Sequence, residues 1–221
     1  MRLSADTIAL LKNFSSINQS ILIRAGKTLR SMSVMKNILV EAQILENFDR
    51  DVAIYDLNQF LNCLSLIEDP EVKLEDDAIV ITDGTNSIEY RYSDPSVISA
   101  PPEKELVLPS EDVSLTLTEE NISTVKKAAA VLQIADVSLV CEDDTVYLTV
   151  RDKKNSGSNA YKIAVGTSEA SFQFNMKVEN LKLLAGDYEV TISQKNLAKF
   201  VSQSRPVTYF VALEPDSKFS A

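Results

Sequence analysis

The chain has 221 residues, 45% of them hydrophobic, and its 22 basic residues face 32 acidic ones for a formal net charge of −10. It carries no histidine, no tryptophan and only five glycines. That composition excludes the commonest general base and transition-metal ligand, offers no Gly-rich phosphate loop, and argues against a basic coat that takes up nucleic acid non-specifically.

The first predicted element is a helix over 5–17. The phrase "LSADTIALLK" places Ser4 at the N-cap, Asp6 in the first turn, and Leu3 and Ile8 as a hydrophobic staple across the start. Leu10, Leu11, Phe14 and Ile17 share its inward side, and Ala5, Ala9, Lys12 and Ser16 the outward one. Strands are expected at 20–25, 38–44 and 51–55, then a helix over 56–67 whose outward face is Asn58, Gln59 and Asn62. Strands at 78–83 and 87–92 close this half. Cys63 and Cys141 sit in apolar runs far apart in sequence and are expected to be reduced core thiols.

The stretch "SDPSVISAPPEKELVLPSEDVS" holds four of the seven prolines and has no helical period, so it predicts an extended connector over roughly 93–112. The expected domains are 1–108 and 109–221. Beyond the connector the opening phrase returns as "LTEENISTVK", with Thr118 as N-cap, Glu119 and Glu120 in the first turn, and Leu117 and Ile122 as the staple. It predicts a helix over 119–132 that shows Lys127 to solvent. Strands follow at 136–142, 145–151, 160–166 and 171–176, a fourth helix at 177–184, and strands at 187–193 and 207–214. Two helices in matching places in each half point to internal duplication. The two "EDD" triplets, 75–77 and 142–144, precede strands and predict hairpin turns in preference to a metal site.

The exposed helix faces are small, neutral-polar or basic, while the acid lies in helix starts, turns and strands. Lysines gathered on one side of an acidic protein suit phosphate contact without sequence reading. No apolar run reaches the length of a membrane span, and the N-terminal residues lack a secretion signal, so no membrane partner is expected.

The chain resembles the DNA polymerase sliding clamps of T-even-type bacteriophages. The stretches that carry the resemblance are "LSADTIALLKNFSSIN", "DVAIYDLNQFL", "SDPS", "FQFNM…NLK…GDY" and "YFVALEPDS", and they span both halves. The resemblance implies an α+β fold with two similar domains per chain, in a ring-shaped homotrimer with helices lining a central channel and antiparallel sheets outside. Four helices per chain make twelve, and at about 9 Å apart they enclose a circle roughly 34 Å across, wide enough for a DNA duplex. It implies a processivity factor that encircles duplex DNA and tethers the replicative polymerase in the cytoplasm of an infected bacterium. An ATP-driven loader is an implied partner and, for some members, so is the transcription machinery. No catalysis and no cofactor are implied. Lys12, Lys127 and Lys182 match basic channel positions of the family, although Ala130 stands where a basic residue is expected, and charge adds Lys126 and Lys177. The subunit seam is expected at 86–92 and 160–166, with Tyr90, Tyr92, Tyr161 and Ile163. A pocket for the polymerase's C-terminal peptide is expected from Val97, Ile98, Leu106, Tyr209, Val211 and Pro215.

Two other readings stay open on the residues alone. One is an acidic β-rich scaffold that binds proteins without encircling DNA. The other is an enzyme, which would need Cys63 or Cys141 as a nucleophile without a histidine to activate it, or a carboxylate pair.

Overall fold

The structure, a computed structural model, describes residues 1–155 and 157–220. It divides into two compact units, Met1–Lys104 and Glu105–Ala221.

The first unit runs α1 (Ala5–Ile17), β1 (Ile21–Ile23), β2 (Gly26–Met32), β3 (Ile38–Phe48), β4 (Val52–Ile54), α2 (Leu57–Ser65), β5 (Glu71–Leu74), β6 (Ala78–Thr82) and β7 (Ser87–Arg91). Ser4 caps α1 as expected, its hydroxyl accepting from the Thr7 amide at 3.2 Å. Asp56 caps α2 through the Gln59 amide at 2.9 Å. β2 and β3 form an antiparallel hairpin, β1 pairs with β4, and β5, β6 and β7 form a three-stranded antiparallel sheet in that order. α1 packs on α2 and β3, and α2 also meets β7. Leu10, Leu11, Phe14 and Ile17 of α1 are buried with Leu57, Phe60, Leu61 and Leu64 of α2, each such side chain contributing about 1.5–3 kcal/mol.

The second unit runs β8 (Val113–Leu117), α3 (Glu119–Leu132), β9 (Asp136–Glu142), β10 (Thr145–Val150), β11 (Tyr161–Thr167), β12 (Ser171–Lys177), β13 (Tyr188–Ser193), β14 (Leu197–Ser202), β15 (Val207–Ala212) and β16 (Lys218–Ser220). One antiparallel sheet has the order β11, β10, β9, β12, β16; in a second ladder β15, β14, β13 and β8 are consecutive neighbours. Thr118 caps α3 in a full capping box with Asn121, the two bonds being 3.1 and 3.0 Å. α3 lies on β9, β10 and β11. Both acidic triplets are in hairpin turns as expected: the Glu75 amide bonds the Ala78 carbonyl at 2.9 Å, and Asp143 and Asp144 form a two-residue loop with φ of 49° and 60°.

One expected element is absent. Instead of a helix at 177–184 the chain makes a single 3-10 turn, Val178–Asn180, and then continues irregularly. Lys177 stands at its cap position and supplies no side-chain acceptor, whereas Ser4, Asp56 and Thr118 do. Asn180 and Leu181 are buried instead of keeping a helical stripe, and the Leu184 backbone is engaged by the hydroxyls of Tyr188 and Tyr209. The matching helices of the two halves are therefore α1 and α3, and among the described residues α2 has no second-half counterpart. Strands β2, β5, β8, β14 and β16 have no counterpart among the expected elements.

Candidate nucleic-acid and partner interfaces

Past their first turns the three helices carry three lysines and no acid. Lys12 is exposed on α1, and Lys126 and Lys127 are exposed on α3. α2 offers exposed Asn58, Gln59 and Asn62. Asp6, Glu119 and Glu120 stay in the first turns, where the helix dipole favours them. Lys126 has a bond of its own: its Nζ donates to the Leu181 carbonyl at 3.1 Å.

The other two expected lysines are not on helices. Lys177 ends β12, and its amine pairs with Asp136 at 2.6 Å; the hydrogen bond to that carboxylate, opposed by burial, raises its affinity for the proton. Lys182 is half-buried in the irregular segment after the 3-10 turn. The helical expectation for 177–184 had the two lysines flank a face that also shows Glu179, and the 3-10 turn with its irregular continuation takes that face away.

The expected peptide pocket is corrected more sharply. Tyr209 and Val211 are fully buried in β15, a strand covered on both faces. The Tyr209 hydroxyl accepts from the Leu184 amide at 3.3 Å, and its ring meets that of Tyr188 with centroids 6.0 Å apart. Burial pushes the Tyr188 hydroxyl up to about 12 and shifts that of Tyr209 in the same direction. Neither residue offers a surface to a ligand. Ile98 is buried against Leu22 and Ala53, with Ala100 packed beside them. Val97 is 57% exposed, Leu106 half-buried and Pro215 exposed.

A cavity of about 200 Å³ opens beside that cluster, with Leu22, Ala100 and Pro101 as apolar wall and Arg24, Arg30 and Glu103 as polar rim. Arg30 fixes one side of it. Its Nη1 donates to the Pro102 carbonyl at 2.7 Å and the Glu103 carbonyl at 3.3 Å, while its Nε lies 3.0 Å from Glu41. Arg24 bridges Asp51 at 2.8 Å and Glu103 at 3.4 Å. Only the proline pair in the connector marked this place in the sequence. Nothing local to Leu22, Arg24 or Arg30 announced that β1 and β2 form the opposite wall.

Three of the four expected seam residues, Tyr90, Tyr161 and Ile163, lie on edge strands. β7 has β6 as its neighbour on one side, and β11 has β10. Tyr90 turns toward α2, its hydroxyl donating to the Asp56 carbonyl at 3.0 Å and its ring set edge-on to Phe60 at 5.5 Å. Tyr92 follows β7 and is half-buried, as are Tyr161 and Ile163 of β11.

The comparisons with known proteins agree across the chain. Residues 4–100 match the family model described as DNA polymerase processivity factor, and residues 114–215 the one described as gp45 sliding clamp, C terminal. Neither describes a catalytic family. The chain is 33% identical to the sliding clamp of Escherichia phage RB69 over 98% of each chain. It is 30% identical to the sliding clamp of Vibrio phage KVP40, covering 97% of this chain and 99% of that one. Among solved structures, the A. fulgidus PCNA bound to the C-terminal region of FEN-1 shares the fold, with a TM-score of 0.69, 14% identity and 96% of each chain covered.

Proposed function

The chain belongs to the T-even-type bacteriophage family of DNA sliding clamps, and on that premise we propose how it holds DNA and polymerase. It is a DNA sliding clamp that acts as a polymerase processivity factor. In our reading three copies close into a ring, with α1, α2 and α3 of each copy facing the hole and the sheets outside. Counted over the described residues, the ring then carries nine α-helices, with the 3-10 turn Val178–Asn180 of each copy standing where the sequence suggested the fourth helix. It works in the cytoplasm of the infected bacterium, is opened by an ATP-driven loader, and makes and breaks no covalent bond.

One observation supports the DNA-facing assignment above the others. In a protein of net charge −10, the helix faces beyond the first turn hold Lys12, Lys126 and Lys127 and no carboxylate. Lysine meets phosphate as a mobile point charge and reads no sequence. The neutral amides of α2 add polarity without grip, which suits a ring that must slide. Lys182 and Lys177 are weaker members of the set, Lys177 because Asp136 already holds it.

The polymerase's C-terminal peptide is assigned to the cavity beside the connector. Its volume of about 200 Å³ suits one or two apolar side chains, and its rim carries both charge signs. The FEN-1 complex is a precedent for a partner's C-terminal segment binding a protein of this fold.

The test is primer extension on a long single-primed template with cognate polymerase and loader. The clamp alone is expected to be inert and, when loaded, to lengthen the products. Replacing Lys12, Lys126 and Lys127 together by alanine is expected to shorten them most at low salt, the difference from the parent shrinking as salt screens the lysines, with the native mass unchanged. Equal product lengths for both proteins across the salt series would overturn the channel assignment.

A further inference from the structure

The two open edges carry enough pattern to fix how they meet. In β7, Ile88 and Tyr90 are half-buried, and Ser87, Glu89 and Arg91 are exposed. In β11, Tyr161, Ile163 and Val165 are half-buried, and Lys162, Ala164 and Gly166 are exposed. The opposite edge of the first sheet is already lined by the chain itself, because Met1 exchanges two backbone hydrogen bonds of 2.6 Å with Val72 of β5. β7 is therefore the edge of that sheet left for another strand.

A junction that continues these antiparallel sheets must keep the half-buried rows on one side, because a slip of one residue turns every side chain over. Of the registers that satisfy this, one sets Ile88 opposite Ile163, Tyr90 opposite Tyr161 and Glu89 opposite Lys162. Shifting by two residues in one direction brings Arg91 opposite Lys162, two like charges. Shifting by two in the other leaves Glu89 opposite Ala160 and Tyr90 opposite Asn159, losing both the charge pair and the aromatic pair. Opposite charges and aromatic pairs directly across a ladder are favourable, and like charges are not.

We propose that β7 of one copy pairs with β11 of the next in this register, and that Glu89 and Lys162 select it. This rests on the ring reading above and adds the residue pairing that closes it. Each charge has a neighbour within its own chain: Glu89 is 2.6 Å from Arg91, and Lys162 is 3.0 Å from Glu142 with its amine 4.0 Å above the Tyr147 ring. The seam therefore joins two pairs into one row of alternating sign, Arg91, Glu89, Lys162 and Glu142. Its strength falls as salt screens it.

The experiment is a double-mutant cycle of Glu89→Gln and Lys162→Gln, read as the monomer–trimer equilibrium by sedimentation at low and high salt. All four side chains of the row are exposed, so the variants are expected to fold, which circular dichroism checks. Each single change is expected to raise the trimer dissociation constant roughly five-fold per seam at low salt, and the double change to cost no more than either single one. At high salt the differences are expected to shrink. Additive costs, or singles indistinguishable from the parent at low salt, overturn the register while leaving a trimeric ring. A parent protein that stays monomeric throughout overturns the ring reading itself.

Discussion

At the scale of single residues, Glu46 shows how the first helix is anchored. It lies on β3, 9% exposed, and its carboxylate accepts from the Thr7 hydroxyl at 2.6 Å and from the Ser4 amide. Burial works to raise the carboxyl, but these hydrogen bonds together outweigh it and hold it below the ordinary range. A carboxylate depressed in the folded state stabilises the fold above its unfolded value, and that contribution is lost as pH falls through the folded value. Glu46→Gln is therefore expected to cost about 1–3 kcal/mol at pH 7. The gap from the parent is expected to close below about pH 4, as urea melts across pH would show. Ser4 as a cap was legible in the sequence because capping chemistry is local. Glu46 was not, since it reaches the same helix start from forty-two residues away.

At the scale of elements, local signals succeeded where they were complete. α1 and α3 had a cap, an acidic first turn and an apolar stripe, and their bounds agree with the expectation residue for residue. The stretch 177–184 had part of a stripe and no cap, and it did not form a helix. β15 shows a different limit. The family resemblance implied that Tyr209 and Val211 face a peptide pocket, but β14 pairs along the strand and both faces are covered, something a strand's own residues do not state. The cavity that replaces them joins Leu22 to Ala100 and Pro101 across nearly eighty positions. Ala100→Phe is expected to fill it and weaken binding of a polymerase C-terminal peptide at least about tenfold, a loss of roughly 1.4 kcal/mol. Titration by calorimetry measures this, and unchanged melting would show that the fold is kept. Undiminished binding would place the peptide elsewhere.

At the scale of the whole molecule, a ring holds DNA by linkage more than by contact. Few helix-borne lysines mean weak direct attraction, so salt should remove the clamp readily wherever DNA has an end. Loaded on a nicked circle, the protein is expected to survive gel filtration at a salt concentration that clears it from the same DNA once linearised. Equal loss from both forms would show that contacts alone hold it. The charge separation behind this was visible in the sequence as lysines on helix faces. The ring was implied by the family resemblance, and the open edges β7 and β11 supply the ends that could close it.

The grip of Arg30 on the connector has a consequence for how such a protein can change. The guanidinium takes hold of the carbonyl oxygens of Pro102 and Glu103, not their side chains. Almost any residue at those two places presents the same oxygens, so the mooring tolerates drift there. The lip of the cavity is then free to acquire new chemistry while its shape persists, and a clamp could follow a changing polymerase tail without rebuilding the wall proposed to receive it.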